Sequence, residues 1–193
     1  MAVDRRVWRT TVELGDRRVG PIELDTWPRD EGRDLLGQDV LSQFRCEYRL
    51  AEAVLRLDGP VPQAAEPVFL DGGDHVYLAA GWDGATAGAV LDTGASLSVV
   101  DSAFVHNYPD LFTAQGESEG TDASGSTMGT PMVKMAGPLI LGHRFASTTA
   151  AVVDLSRVNA SLARPMDVIL GWPVLRQANW FVDHASKTAA LVD

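Results

Sequence analysis

A chain of 193 residues, 46% hydrophobic and 22% charged, is long enough to bury one sizeable core, or one core and a smaller lobe. Its formal charge of −10, with no cluster of Lys and Arg interleaved with aromatics, excludes nucleic acid as a partner. A single cysteine, Cys46, excludes an intramolecular disulfide framework, and no Cys/His spacing fits a zinc site.

At the N-terminus, Met1 to Arg9 is charged rather than signal-like, and no apolar run approaches the roughly 20 residues that span a bilayer. The chain is therefore expected in the cytoplasm; an export signal on a longer N-terminus would instead make it periplasmic or exported. Ten arginines and no lysine fall in residues 1–58, against six basic and fourteen acidic residues beyond them. Between these regions, Gly59-Pro60-Val61-Pro62-Gln63-Ala64-Ala65-Glu66-Pro67 has the composition of an extended linker. The expected organisation is an N-terminal segment 1–58, a linker 59–67 and a domain 68–193.

Strand patterns follow the linker: alternation over 75–80, a small-residue apolar run over 86–91, and a Thr- and Val-rich stretch over 146–155. Helical signals are short. Asp101 is placed to N-cap a helix over 102–107 that Tyr108-Pro109 ends, and Pro173 suits the first turn of another over 173–178. The last residues read as a hairpin, 180–184 and 188–192, turned by Ala185-Ser186-Lys187. Short strands with one or two short helices predict a mainly β fold, a closed barrel with a β-rich half-lobe at its N-terminal side.

An internal repeat cuts across this order. Leu35-Leu36-Gly37-Gln38-Asp39-Val40-Leu41-Ser42-Gln43 aligns without gaps on Ile169-Leu170-Gly171-Trp172-Pro173-Val174-Leu175-Arg176-Gln177, and the register continues to Leu57 and Leu191. Each copy reads as strand, glycine turn, short helix and strand pair.

Chemistry concentrates before the second copy. Ala89-Val90-Leu91 delivers Asp92 straight into Thr93-Gly94, an unusual use of a carboxylate, because desolvation normally pushes such groups outward. The turn resembles that of the aspartic peptidases, in which two such carboxylates share a proton so that one acts as base and the other as acid, and that resemblance implies a use for each neighbour. Gly94 would let two turns approach, the Thr93 hydroxyl would bond across the pair, and Ser96 would orient the carboxylate from outside. Ser96 as a serine nucleophile is disfavoured, because Gly94-Ala95-Ser96-Leu97-Ser98 lacks the second glycine of a nucleophile elbow. His75, His106, His143 and His184 form no metal spacing and are expected on the surface or in turns, and Asp154, Asp167 and Asp183 are expected at solvated strand ends.

Ala-Val-Leu-Asp-Thr-Gly-Ala-Ser at 89–96, followed downstream by Ile169-Leu170-Gly171 and a short helix, resembles the retropepsins and their bacterial single-domain relatives over roughly residues 68–193. The resemblance implies an acid-protease barrel and an aspartic endopeptidase needing no metal or cofactor. Asp92 is then the catalytic carboxylate, with Thr93, Gly94, Ala95 and Ser96 supporting its turn. Ile169, Leu170 and Gly171 become the strand beneath the site, and Gly120 to Gly129 a flap with Thr121, Ser124, Gly125 and Ser126. Ala95, where many acid-acting relatives have serine, implies activity at milder pH.

The chain departs from two-lobed relatives in holding one Asp-Thr-Gly; the only other Asp-Thr, Asp25-Thr26, is followed by Trp27, and Asp25 is expected on the surface. The simplest source of a second carboxylate is a second copy in an isologous homodimer around a peptide substrate. The competing readings are an inactive peptide-binding or interaction domain, and a part of a longer two-domain chain. For the N-terminal half-repeat, an internal start and a remnant packed beside the barrel both stay open.

Overall fold

The computed structural model describes residues 7–25, 36–71, 75–121 and 127–193. A hairpin opens the described chain, β1 (Val7–Leu14) on β2 (Arg17–Asp25). A short helix α1 (Gln38–Leu41) leads into a second hairpin, β3 (Arg45–Arg49) and β4 (Val54–Leu57). Then come the short strands β5 (Glu66–Pro67) and β6 (Phe69–Leu70), and the central pair β7 (Val76–Trp82) and β8 (Ala85–Leu91). Strand β9 (Ser98–Asp101) runs into α2 (Ser102–Asn107), and a long hairpin follows, β10 (Phe112–Thr121) with β11 (Thr127–Met135). The remainder is β12 (Leu139–Ile140), β13 (His143–Arg144), β14 (Thr148–Val153), α3 (Ser156–Asn159), β15 (Val168–Leu170), α4 (Trp172–Leu175), β16 (Asn179–Asp183) and β17 (Thr188–Val192).

The fold is mainly β with few short helices, as expected. One sheet runs β10-β11-β14-β9-β15-β8-β7-β12-β13, with β6 beside β7, and a second runs β4-β3-β16-β17-β5. The larger sheet curls: Trp82 Nε1 at the end of β7 donates to Ala136 O just past β11, 2.8 Å away, so distant parts of the strand order meet. The apolar run of β8 has a direct cause, since both its faces are covered. Ala87, Ala89 and Leu91 join the main core, whereas Val90 packs on the opposite face with Tyr77, Leu155 and Met166. Among the described residues no helix is long and apolar enough to cross a membrane.

Several local expectations need correction. Asp101 is the N-cap of α2 by position but makes no cap bond; it is buried, and its Oδ1 accepts from Leu155 N at 3.1 Å, tying the end of β9 to the residues after β14. Pro173 lies in a helix that ends at Leu175 rather than Ala178. Asp183 is buried, because its carboxylate accepts from Ala185 N, Ser186 N and Ser186 Oγ and thereby builds the β16–β17 turn. His184 is also buried. Glu66 and Pro67, placed in the linker, pair with Ala189 and Thr188 of β17. Asp25 closes β2, while Thr26, Trp27 and Leu35 lie outside the described residues.

Candidate active site

The strand order around Asp92 explains the local sequence. β15 lies between β8 and β9, parallel to β8 and antiparallel to β9. Residues 92–97, which join β8 to β9, must therefore pass over the C-terminal end of β15. Hydrogen bonds fix the crossing from both sides: Asp92 N donates to Leu170 O at 3.1 Å, Trp172 N to Ala95 O at 2.9 Å, and Ala95 N to Asp92 O at 3.3 Å. Beneath the crossing, Gly171 N donates to the fully buried Ser98 Oγ at 3.1 Å.

This crossing dictates a glycine at 171. A Cβ there would stand 2.4 Å from Leu97 O and 2.8 Å from Ala95 O, both backbone atoms that cannot rotate away. Gly171→Ala is therefore expected to lose about 1–3 kcal/mol, the usual cost of overpacking, measured as a lower urea midpoint at unchanged m-value. In strand β15 Leu170 is fully buried, Ile169 is half-buried and packed in the smaller core, and Gly171 lies under the turn.

The carboxylate itself sits at the rim. Asp92 is half-buried and its Oδ1 accepts from Gly94 N at 2.8 Å, while Thr93, Gly94 and Ser96 are exposed and Ala95 is half-buried. A backbone hydrogen-bonded on both sides of β15 thus presents one carboxylate and a small, exposed Thr-Gly surface. Sequence reasoning missed Ser98. Its only signal is a hydroxyl at the start of the otherwise apolar Val99-Val100 strand, and its role depends on Gly171, which is distant in sequence.

Of the candidate flap, the arms are described and the tip is not. Thr121 ends β10 opposite Thr127, with Gly120 opposite Met128 and Glu119 opposite Gly129. Ser124, Gly125 and Ser126 lie outside the described residues. Gly116, at φ +83°, sits where the β10–β11 register shifts, the left-handed conformation a bulge demands.

At the opposite end of the same strands lies another carboxylate, Asp167, expected to be solvated but half-buried here. Its Oδ2 accepts from Gly88 N at 2.7 Å. Desolvation by burial raises its pKa, the Gly88 N–H lowers it, and the nearby Asp101 charge raises it further. A carboxyl raised in the folded state contributes stability that is full below its unfolded pKa, about 3.9, and is lost as pH rises through the folded value. Asp167→Asn, which keeps an acceptor for Gly88 N, should therefore remove part of the fall in stability above that pH. Urea unfolding at pH 4 and pH 7 measures it: the variant gains on wild type at pH 7 relative to pH 4. Asp154 is exposed as expected, its pKa lowered by Ser156.

No group of three or more His, Cys, Asp or Glu side chains among the described residues comes together to hold a metal ion. His106 and His143 are exposed, as is His75, whose ring Nδ1 lies 2.8 Å from Asp71 Oδ2.

No family model matches this chain, and no curated protein does. Among solved structures it is similar to the crystal structure of the retroviral protease-like domain of Ddi1 from Leishmania major. The two are 13% identical, the match covers 62% of this chain and 91% of that one, and the TM-score is 0.32, a likeness too slight to bear on function.

Proposed function

We propose that this chain is a retropepsin-like, aspartic-peptidase-type unit that engages extended peptides across the Asp92 turn and hydrolyses them when a second carboxylate faces Asp92. One observation carries the reading: the Asp92 turn straddles β15 and is bonded to it at Leu170 O and Trp172 N, so the carboxylate is presented on a fixed backbone. In this reading one carboxylate of the pair activates a water and the other donates a proton to the amide, the pair sharing one proton between them. Thr93 and Gly94 form the exposed face of the turn that such a pair requires, and the β10–β11 arms are candidates for the flap.

The source of the second carboxylate that the sequence suggests is another copy, in a homodimer whose two-fold axis passes between the Asp92 side chains. A second reading, peptide binding without hydrolysis, is favoured by the fact that β16 already pairs with β3 of its own chain, leaving one Asp92 to each assembled core. Digestion of a mixed peptide library by wild type and by Asp92→Asn across roughly pH 4 to 7 separates the two. The hydrolytic reading expects products at defined bonds from wild type alone. Products from neither protein, with equal peptide affinity, would leave binding as the function, and equal products from both would exclude Asp92 as the catalyst.

A further inference from the structure

The two repeat copies do more than resemble each other in sequence. Under the gapless alignment α1 matches α4 and β3 matches β16 at both bounds, and β4 matches β17 from its first residue, β17 running one residue further. Internal bonds correspond as well. Gln43 Nε2 donates to Asp39 O at 2.8 Å, and Gln177 Nε2 to Pro173 O at 2.9 Å. Cys46 Sγ donates to Leu41 O, and Trp180 Nε1, at the matching position, to Leu175 O. Ala53 and Lys187, matched in the two hairpin turns, both have φ +54°.

Their mutual pairing is symmetric too. Tyr48 faces Trp180, Glu47 faces Phe181 and Cys46 faces Val182. Under the alignment, Cys46 corresponds to Trp180, Glu47 to Phe181 and Tyr48 to Val182. Exchanging the copies therefore turns the Tyr48–Trp180 pair into the Val182–Cys46 pair and returns Glu47–Phe181 to itself. Such a register requires a local two-fold axis through the Glu47–Phe181 pair.

We propose that residues 36–57 take the place of a second subunit, so that the chain is a monomer with an internal two-fold, and Asp92 is not paired with the Asp92 of another copy across this axis. A strand has two edges. β16 gives one to β17 and the other to β3, so a second copy related by this axis could add its own β16 only by expelling β3. Expulsion is opposed by burial, since Val40, Leu41, Phe44, Cys46 and Tyr48 all belong to the main core.

The copies differ at one place that matters for the site. Leu170 is fully buried beneath the Asp92 turn, whereas its counterpart Leu36 is 39% exposed. The N-terminal unit thus supplies the helix and hairpin frame of a second half-site. This part of the inference rests on the proposed function: a carboxylate completing Asp92 belongs over Leu36 and Gly37 of the same chain, at the position the axis generates from the Asp92 turn.

Crosslinking and mass test it on the full chain. Val182→Cys, oxidised during dilute refolding, is expected to form a disulfide with Cys46 inside one chain, running as a monomer on a non-reducing gel. Phe181→Cys alone is expected to give no covalent dimer, whereas pairing of β16 with a second copy's β16 would bring two such positions together and crosslink them. Because either variant, made in the core, can fail to fold, wild-type molar mass in solution is measured as well. A value near 20.7 kDa across the concentrations used for peptide digestion is expected. A dimer by mass, a Phe181→Cys crosslink, or an interchain disulfide from Val182→Cys would each overturn the inference. Failure of the hydrolytic reading is distinguishable, because it shows as absence of Asp92-dependent products whatever the mass: a monomer without products keeps the internal two-fold and loses hydrolysis, and an active dimer does the reverse.

Discussion

Asp92→Asn is expected to lower any specific peptide cleavage by about 10²- to 10⁴-fold, the usual contribution of a positioned acid or base, while leaving the fold intact. The separation follows from where the bonds lie. The turn is held by backbone groups of Asp92, Ala95 and Trp172, none of which the substitution changes. The side-chain bond at this position among the described residues, from Gly94 N to Asp92 Oδ1, can be accepted equally by the amide oxygen of asparagine. Thermal and urea unfolding of the variant should therefore coincide with wild type. A drop in cleavage accompanied by a large loss of stability would mean that Asp92 is structural.

Trp180→Ala is expected to cost about 3–5 kcal/mol, the range for deleting a buried aromatic, out of a total stability of about 5–15 kcal/mol. Trp180 is 1% exposed and stacks on Phe145 with ring centroids 5.4 Å apart and planes 15° apart. Phe145 directly follows β13 of the larger sheet, whereas Trp180 belongs to β16 of the smaller one, so this stack joins the two sheets. The indole N–H also satisfies Leu175 O at 2.7 Å, the last residue of the helix that follows Gly171. Loss of Trp180 therefore opens a cavity at the joint and leaves Leu175 O with only the long 3.4 Å bond from Ala178 N. Chemical denaturation measures the cost; a change below 1 kcal/mol would show that the sheets are joined by other contacts.

Elements whose residues meet a uniform environment were legible in the sequence. β8 reads as an apolar run because both its faces are covered, and α2 ends where Tyr108-Pro109 says it must. The repeat was legible because the helix–hairpin unit carries its own turn and core residues. The β10–β11 arms were not: Gln115, Glu117 and Ser118 are exposed, and pairing between the strands rather than apolar alternation defines the hairpin. Asp167 and Asp183 were misplaced because a carboxylate at a strand end looks solvated until its partners, Gly88 N and Ser186, are in place, and Asp101, which does stand at the N-cap position, turns its carboxylate to Leu155 N instead. At the candidate site, Asp92 and Gly171 stood out by residue type and context. The crossing that unites them, and Ser98 beneath it, depend on β15 entering between two strands it follows by some seventy residues.

Both readings of function share one claim, that extended peptide lies against the Asp92 turn. Amide shift mapping of the isotope-labelled chain tests it, on titration with an uncleavable pseudopeptide of apolar residues carrying a central hydroxyl in place of the scissile amide. The account predicts the largest shifts at Asp92 to Ser98 and along the paired arms of β10 and β11. Shifts confined to β4, β5 and β17 of the smaller sheet, with the Asp92 turn unmoved, would contradict it.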